Sequence, residues 1–292
     1  MPLNPSGVMS IGGPAVGSSI NLELGLSATA NSSLNQADFR ALAGIPSGTI
    51  SLSNFYGKSL ATQRGVFYAG VTNVPAVTYI NTQNNVSSTG VIASTTGGVG
   101  TARSYGSGCP YGGDKGVFAF GTTGGPYSGV TNLLSNTGVI SANGTTAQDP
   151  RQGGGACGYS TDRGIFGFGR VGPTTYGVQT NLVSNTGVIA SSIYQPSASA
   201  RHNIAACTYG GDKGIFAFGE TRTPLANNVT NTRILVSNTG VVAASTTGAG
   251  TAREGVGALR YGGDRGIFAY GFLYPGTVVS MSNLVSNTGV VA

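Results

Sequence analysis

The chain has 292 residues, 50 of them glycine, with only 8% charged residues and a formal net charge of +6. A soluble domain usually has about 25% charged residues, yet a mean hydropathy of +0.10 excludes the highly charged, apolar-poor balance of a disordered chain. No apolar stretch approaches the roughly 20 residues of a membrane span, so no membrane insertion is expected.

The start, Met1-Pro2-Leu3-Asn4-Pro5, lacks the basic residues and apolar run of a signal peptide, which implies synthesis in a cytoplasm. Residues 1–19 are rich in Gly, Pro and Ser and read as an extended arm. Ile20 to Leu26 reads as a short strand. Ser33-Leu34-Asn35-Gln36 fits a capping box, predicting a helix through Asp38–Ala43 that Gly44 stops and Pro46 keeps from resuming. Thr49-Ile50-Ser51-Leu52-Ser53 alternates as a strand does. Residues 1–60 thus form a small α+β region, too short for a generous core and expected to attach to something else.

From Arg64 onward one segment repeats. Tyr209-Gly210-Gly211-Asp212-Lys213-Gly214-Ile215-Phe216-Ala217-Phe218-Gly219 recurs as Tyr111–Gly121, Tyr159–Gly169 and Tyr261–Gly271, with a partial copy at Arg64–Gly70. Each copy reads as a tight turn followed by an apolar strand. Further on comes Ser-Asn-Thr-Gly and then Val-Val or Val-Ile. The marker basic residues Arg64, Lys115, Arg163, Lys213 and Arg265 are spaced by 51, 48, 50 and 52. That period, with about four strands per unit, predicts a β-propeller over 61–292 with five four-stranded blades. In the fourth unit the expected strands are Ile204–Tyr209, Gly214–Gly219, Thr232–Ser237 and Val241–Ser245. Alternation points Ile215 and Ala217 one way and Phe216 and Phe218 the other, so both faces are apolar and a neighbouring blade should cover each. The opening strand of the first blade is expected from Phe55–Thr62 or Thr49–Phe55, with the last blade packed on the first.

The chemistry-bearing residues mostly read as architecture. Arg103, Arg151, Arg201 and Arg253 hold a second repeat position, so nine of the fifteen basic residues are in register. A nucleic-acid surface would instead interleave basic clusters with stacking aromatics. The sole histidine, His202, has Ser104, Gln152 and Glu254 as equivalents, and no metal-ligand partner lies near it in sequence; it reads as a solvated loop residue. Cys109, Cys157 and Cys207 read as unpaired core thiols. Asp114, Asp162, Asp212 and Asp264 read as turn residues that bond their own backbone. No catalytic, cofactor, metal or binding residue is singled out, and no cofactor is expected. The tight turns should share one face. The connections 122–129, 170–180, 220–231 and 272–281 differ in every unit, as do those before each lead-in strand, and should share the opposite face, where binding would reside.

Met1–Gly7, Ser18–Gly25, Asn35–Gly44 and especially Gly48–Ser59 resemble the N-terminal module of tailed-bacteriophage virion proteins of the cyanophage and marine-phage type. Several of these continue into kelch-like repeats with Arg-Gly-Val-Phe strand starts, as at Arg64, Arg163 and Arg265. The resemblance implies a structural virion component, a tail or baseplate fibre, located in the virion and not an enzyme. Residues 1–60 would bind other virion proteins, the chain would be a homo-oligomer, and the variable propeller loops would bind a host-surface glycan. The alternatives are a capsid-decorating or scaffolding protein without a ligand, and a glycan-cleaving propeller enzyme, for which Glu220 and Glu254 are the carboxylates to substitute.

Overall fold

A computed structural model describes the chain apart from residues 1, 2, 5, 16, 25, 44, 46, 57–64, 74, 75, 88, 89, 224, 225 and 249. It divides into two compact units, Met1–Gln63 with Ser87–Gly90, and Arg64–Val86 with Val91–Ala292.

The first unit departs from expectation in two places. Ile20–Glu23 is a helical turn instead of a strand, because the Ser19 hydroxyl accepts from the Leu22 N–H at 3.4 Å and caps it. Leu52–Phe55 is a 3-10 turn instead of a strand, because the Asn54 side chain accepts from the Ser51 N–H at 2.7 Å and bends the backbone. The helix Ala37–Ala43 forms where expected. Half of its capping box forms too: Gln36 Oε1 accepts from the Ser33 N–H at 2.9 Å, while the Ser33 hydroxyl accepts from Asn35 instead. The expected stop at Gly44 and Pro46 lies outside the described residues. The unit has its own core of Leu3, Met9, Ile20, Phe39, Leu42 and Phe55, with Phe39 and Phe55 edge-on at 6.1 Å.

The second unit is all β, a series of small separate sheets in which none closes on itself among the described residues. Each full repeat lays three antiparallel strands side by side in chain order. In the fourth repeat these are Ala205–Tyr209, Lys213–Ala217 and Arg233–Val236. The expected fourth strand shrinks to single bridges, such as Val236 with Val242, except that in the third repeat Ile193–Tyr194 pairs with the Gln179–Val183 strand as a fourth. The partial first repeat pairs Gly65–Thr72 with Thr78–Val86. Of the two segments expected to open it, Thr49–Phe55 forms no strand, and residues 57–62 lie outside the described residues.

The alternation expected in the marker strand fails at one residue. Phe218 has φ +62°, and the same position has φ +66° in Phe120, +64° in Phe168 and +62° in Tyr270. That left-handed backbone is uncommon for a bulky residue. It swings Phe218 onto the Ile215 and Ala217 side, while Phe216 stays on the other. The second, third and fourth repeats therefore each offer one Phe forward and one backward. Phe120 meets Phe166, Phe168 meets Phe216, and Phe218 meets Phe268, all edge-on at 5.2–5.4 Å. The glycine that follows, Gly219 at φ +101°, lies so close to the His202 carbonyl that a Cβ would come within 2.8 Å. Its N–H reaches across to the Arg253 carbonyl of the next repeat at 2.9 Å. Gly121 and Gly169 do the same toward Arg151 and Arg201.

The in-register arginines are buried and locked to this joint. The Arg151 and Arg253 guanidinium groups sit 3.8 and 4.1 Å from the ring centroids of Phe120 and Phe218. Each also donates to an Asn of its own repeat, Asn181 at 2.6 Å and Asn283 at 2.7 Å. Burial pushes Arg151 and Arg201 down to about 10, which leaves both charged at neutral pH. The cysteines finish the joint. Cys109, Cys157 and Cys207 are free and buried, and each sulfur fills the space left by a glycine in the next repeat, Gly164, Gly214 and Gly266. Among the described residues the expected packing of the last repeat on the first is not seen. Phe67 and Tyr270, which occupy the pairing positions at the two ends, remain 62% and 64% exposed.

Removing an internal ring should therefore cost far more than removing an end one. Phe216→Ala is expected to lower the unfolding free energy by about 3–5 kcal/mol, and Tyr270→Ala by under about 1 kcal/mol, measured by chemical denaturation. Equal losses would contradict this joint.

Candidate functional site

The two ends of each hairpin differ in kind. At the tight-turn end the aspartate carboxylates do not bond their own backbone as expected. Asp114, Asp212 and Asp264 accept from Asn136, Asn238 and Asn287 of the Ser-Asn-Thr-Gly turns at 2.9, 3.0 and 3.3 Å. Tyr111, Tyr159 and Tyr209 are buried beneath this end, against Gly187, Gly240 and Gly289 of the following repeats. The marker cations pair with the adjacent aspartates only loosely, at 3.6–4.0 Å and exposed, so they add little.

At the other end the hairpin continues past its kink. The residue after each buried Arg bridges the residue after each Phe-Gly or Tyr-Gly: Ser104 with Thr122, Gln152 with Arg170, His202 with Glu220, and Glu254 with Phe272. His202 and Glu220 exchange both backbone hydrogen bonds, at 3.0 and 2.8 Å. The variable connections leave from these pairs and fold into short hairpins, Arg170–Gly172 with Thr175–Tyr176, Glu220–Thr223 with Ala226–Val229, and Phe272–Leu273 with Thr277–Val278. One backbone frame thus carries a different side-chain pair in each repeat.

In the fourth repeat that pair makes a cluster. His202 Nδ1 lies 3.5 Å from Glu220 Oε2, and both residues are buried. Glu254 of the fifth repeat joins them, and one ligand atom from each of the three lies within 4.8 Å of the others. Glu254 Oε2 accepts from Asn203 Nδ2 at 2.8 Å. Tyr176 of the third repeat stacks on the imidazole at 5.5 Å. Gly153 leaves room for the ring, since a Cβ there would stand 2.4 Å from His202 Nε2. Nε2 itself is buried without a hydrogen-bond partner. Burial lowers the His202 pKa below its ordinary 6.5, with Arg170 adding to this and Glu220 and Glu254 opposing it. The imidazole is therefore neutral at neutral pH and able to accept a proton or ligate a cation.

The reading of His202 as a solvated loop residue is thus wrong. Its partners stand 18 and 52 positions away in the sequence and meet it through the hairpin and the repeat stacking. A signal was present. Continuing the register that pairs Tyr209 with Lys213 places His202 opposite Glu220. Tyr176, Asn203 and Gly153 carried no such mark. A cavity of 280 Å³ lies elsewhere, between the first two repeats and lined by residues including Tyr68, Arg103 and Phe118. Among the described residues it gathers no acid–base or metal-ligating cluster, so the convergence of chemical groups at His202 is the better guide.

In sequence, no family model and no curated protein matches the chain. In structure, the chain is similar to YjhT, with a TM-score of 0.61, 13% identity, and coverage of 78% of this chain and 80% of that one. At that identity the likeness concerns the fold. The expectation that the protein is not an enzyme loses its ground in the site itself. That expectation rested on the virion resemblance and on the absence of any constellation of groups. His202, Glu220 and Glu254 form such a constellation, suited to acid–base or metal chemistry.

Two outcomes test this geometry. His202 protonates less readily folded than unfolded, so its contribution to stability is full above about pH 6.5 and lost as pH falls below it. Relative to His202→Gln, the native protein should lose stability between pH 7 and 5, and its single imidazole NMR signal should titrate with a midpoint below 6.5. A midpoint above 6.5 would contradict the burial described. Burial also raises all three thiols, Cys207 to about 12. A thiol reagent at pH 8 should find none reactive in the native protein and all three in denaturant; native reactivity would show an open joint.

Proposed function

We propose that the protein is a tailed-phage virion component, of a tail or baseplate fibre, that contacts host-surface glycan through the divergent end of a five-bladed, kelch-like propeller. The observation that carries the binding side is the distribution of aromatics. Tyr105, Tyr194 and Tyr274 belong to the divergent end and are 58%, 61% and 60% exposed, whereas Tyr111, Tyr159 and Tyr209 beneath the tight turns are buried. Exposed tyrosine rings offer flat apolar faces for the C–H side of a sugar, with hydroxyls for its polar edge. The rigid frame with differing side chains at equivalent places is suited to recognition. The five marker strands, the stacking of lead-in strands from repeat to repeat and the likeness to YjhT support the propeller.

The virion side rests on the resemblance of residues 1–60, and the separate core around Phe39 and Phe55 supports a module that folds apart from the repeats. Deleting residues 1–60 from the phage gene should abolish incorporation into particles, read by electron microscopy with an antibody to the repeats. Unchanged labelling of the particles would refute attachment through this unit.

A second reading, a glycan-cleaving enzyme, is favoured by one observation. Glu220 and Glu254 stand within 4.8 Å of each other, near the roughly 5 Å between the carboxyl groups of a retaining glycosidase. Cleavage of host polysaccharide that disappears with Glu220→Gln and with Glu254→Gln would establish it; cleavage that survives both would exclude this pair.

A further inference from the structure

The cluster has an unusual charge balance. Two carboxylates and an imidazole converge within 4.8 Å, with His202 and Glu220 buried and Glu254 half-buried. The salt bridges among the described residues pair Glu220 with His202 alone, and pair Glu254 with no cation. Arg170 opposes protonation of His202 through its charge. It turns into its own hairpin, where it donates to the carbonyls of Gly172 and Pro173. Ionised carboxylates held this close repel unless something positive lies between them. His202 adds an independent sign. It is 8% exposed, yet its Nδ1 makes only a 3.5 Å contact with Glu220 and its Nε2 makes none. A buried polar nitrogen without a partner calls for one.

Neighbouring side chains already hold two of these groups in place. Asn203 donates to the Glu254 carboxylate at 2.8 Å, fixing its direction. Tyr176 stacks on the imidazole and fixes its plane. Ligands of this kind are held by outer contacts of this kind. The backbone bridge between His202 and Glu220 sets the spacing of two of the three donors before any ion arrives.

We propose that His202, Glu220 and Glu254 bind one divalent transition-metal cation. One imidazole and two carboxylates suit zinc or manganese better than calcium or magnesium, which prefer all-oxygen shells. Three protein donors leave at least one position for water or a ligand oxygen, and that position opens at the divergent end of the repeats. Because Glu254 comes from the fifth repeat and the other two from the fourth, the ion also ties two repeats together. The site depends on neither reading of function.

The test uses the full-length protein, stripped with a chelator and titrated with zinc chloride or manganese chloride by calorimetry at pH 7.5, with calcium chloride in parallel. One site per chain is expected for zinc or manganese, with a rise in the thermal midpoint. Calcium should bind at least tenfold more weakly. Glu220→Gln and Glu254→Gln, which keep the side-chain shape, should each weaken binding at least tenfold while remaining folded by circular dichroism. Zinc should also shift the single imidazole signal of the unsubstituted protein, which guards against a variant that merely misfolds. The proposal is overturned by three results: no one-to-one binding, binding unchanged in both glutamine variants, or an imidazole signal that zinc leaves in place.

Discussion

The edge-on contact between one aromatic ring and the next is the constraint that orders the repeat unit. It exists because Phe120, Phe168 and Phe218 adopt a left-handed backbone. A residue held there costs of order 1–3 kcal/mol unless its surroundings fix it. They do fix it: the ring is held by the next repeat's Phe, and in the cases of Phe120 and Phe218 an arginine covers it closely. Each aromatic pair contributes roughly 0.5–1.5 kcal/mol beyond its buried area. The glycine after it donates to the next arginine's carbonyl, and the cysteine sulfur fills the space beside the next glycine. No one of these contacts is large. Together they make stacking specific, because the same joint is cut three times from slightly different sequence.

The joint also divides each repeat into two ends of different kind. Before the kink, the buried positions serve stacking, and the tight-turn end is closed by Asp–Asn hydrogen bonds and buried tyrosines. After the kink, the hairpin resumes with a single bridged pair per repeat, whose side chains no joint requires. Ser–Thr, Gln–Arg, His–Glu and Glu–Phe occupy that one frame. The frame brings chemical groups from adjacent repeats within reach, and in one place they are an imidazole and two carboxylates.

Much of the repeat region was legible in the sequence. The period located three of the four expected strands of the fourth repeat to within a residue or two, missing only that Val241–Ser245 forms a single bridge instead of a strand, and two-sided burial of Ile215, Phe216 and Ala217 followed from their being apolar on both faces. The direction of Phe218 was not legible. Alternation assumes an extended backbone, and only the stacking contacts explain why Phe218 abandons it. The short helix at Ile20–Glu23 was hidden because four residues carry little pattern, and one serine hydroxyl decided the outcome. His202 was misjudged because partners were sought nearby along the chain. Glu220 could have been found by extending the hairpin register. Glu254 depends on how the fifth repeat sits on the fourth, which no local pattern encodes.

What repeats in this chain is architecture, and what diverges is proposed to serve recognition. The direct measurement is adsorption of the purified full-length protein to host cells, comparing two groups of variants. Tyr105→Ala, Tyr194→Ala and Tyr274→Ala lie at the divergent end, while Asp212→Asn and Asp264→Asn lie at the tight-turn end. The account predicts that the combined tyrosine variant loses adsorption at least tenfold while the asparagine variants adsorb as the native protein does. Loss of adsorption in the asparagine variants, with the tyrosine variant unaffected and all of them folded, would contradict it.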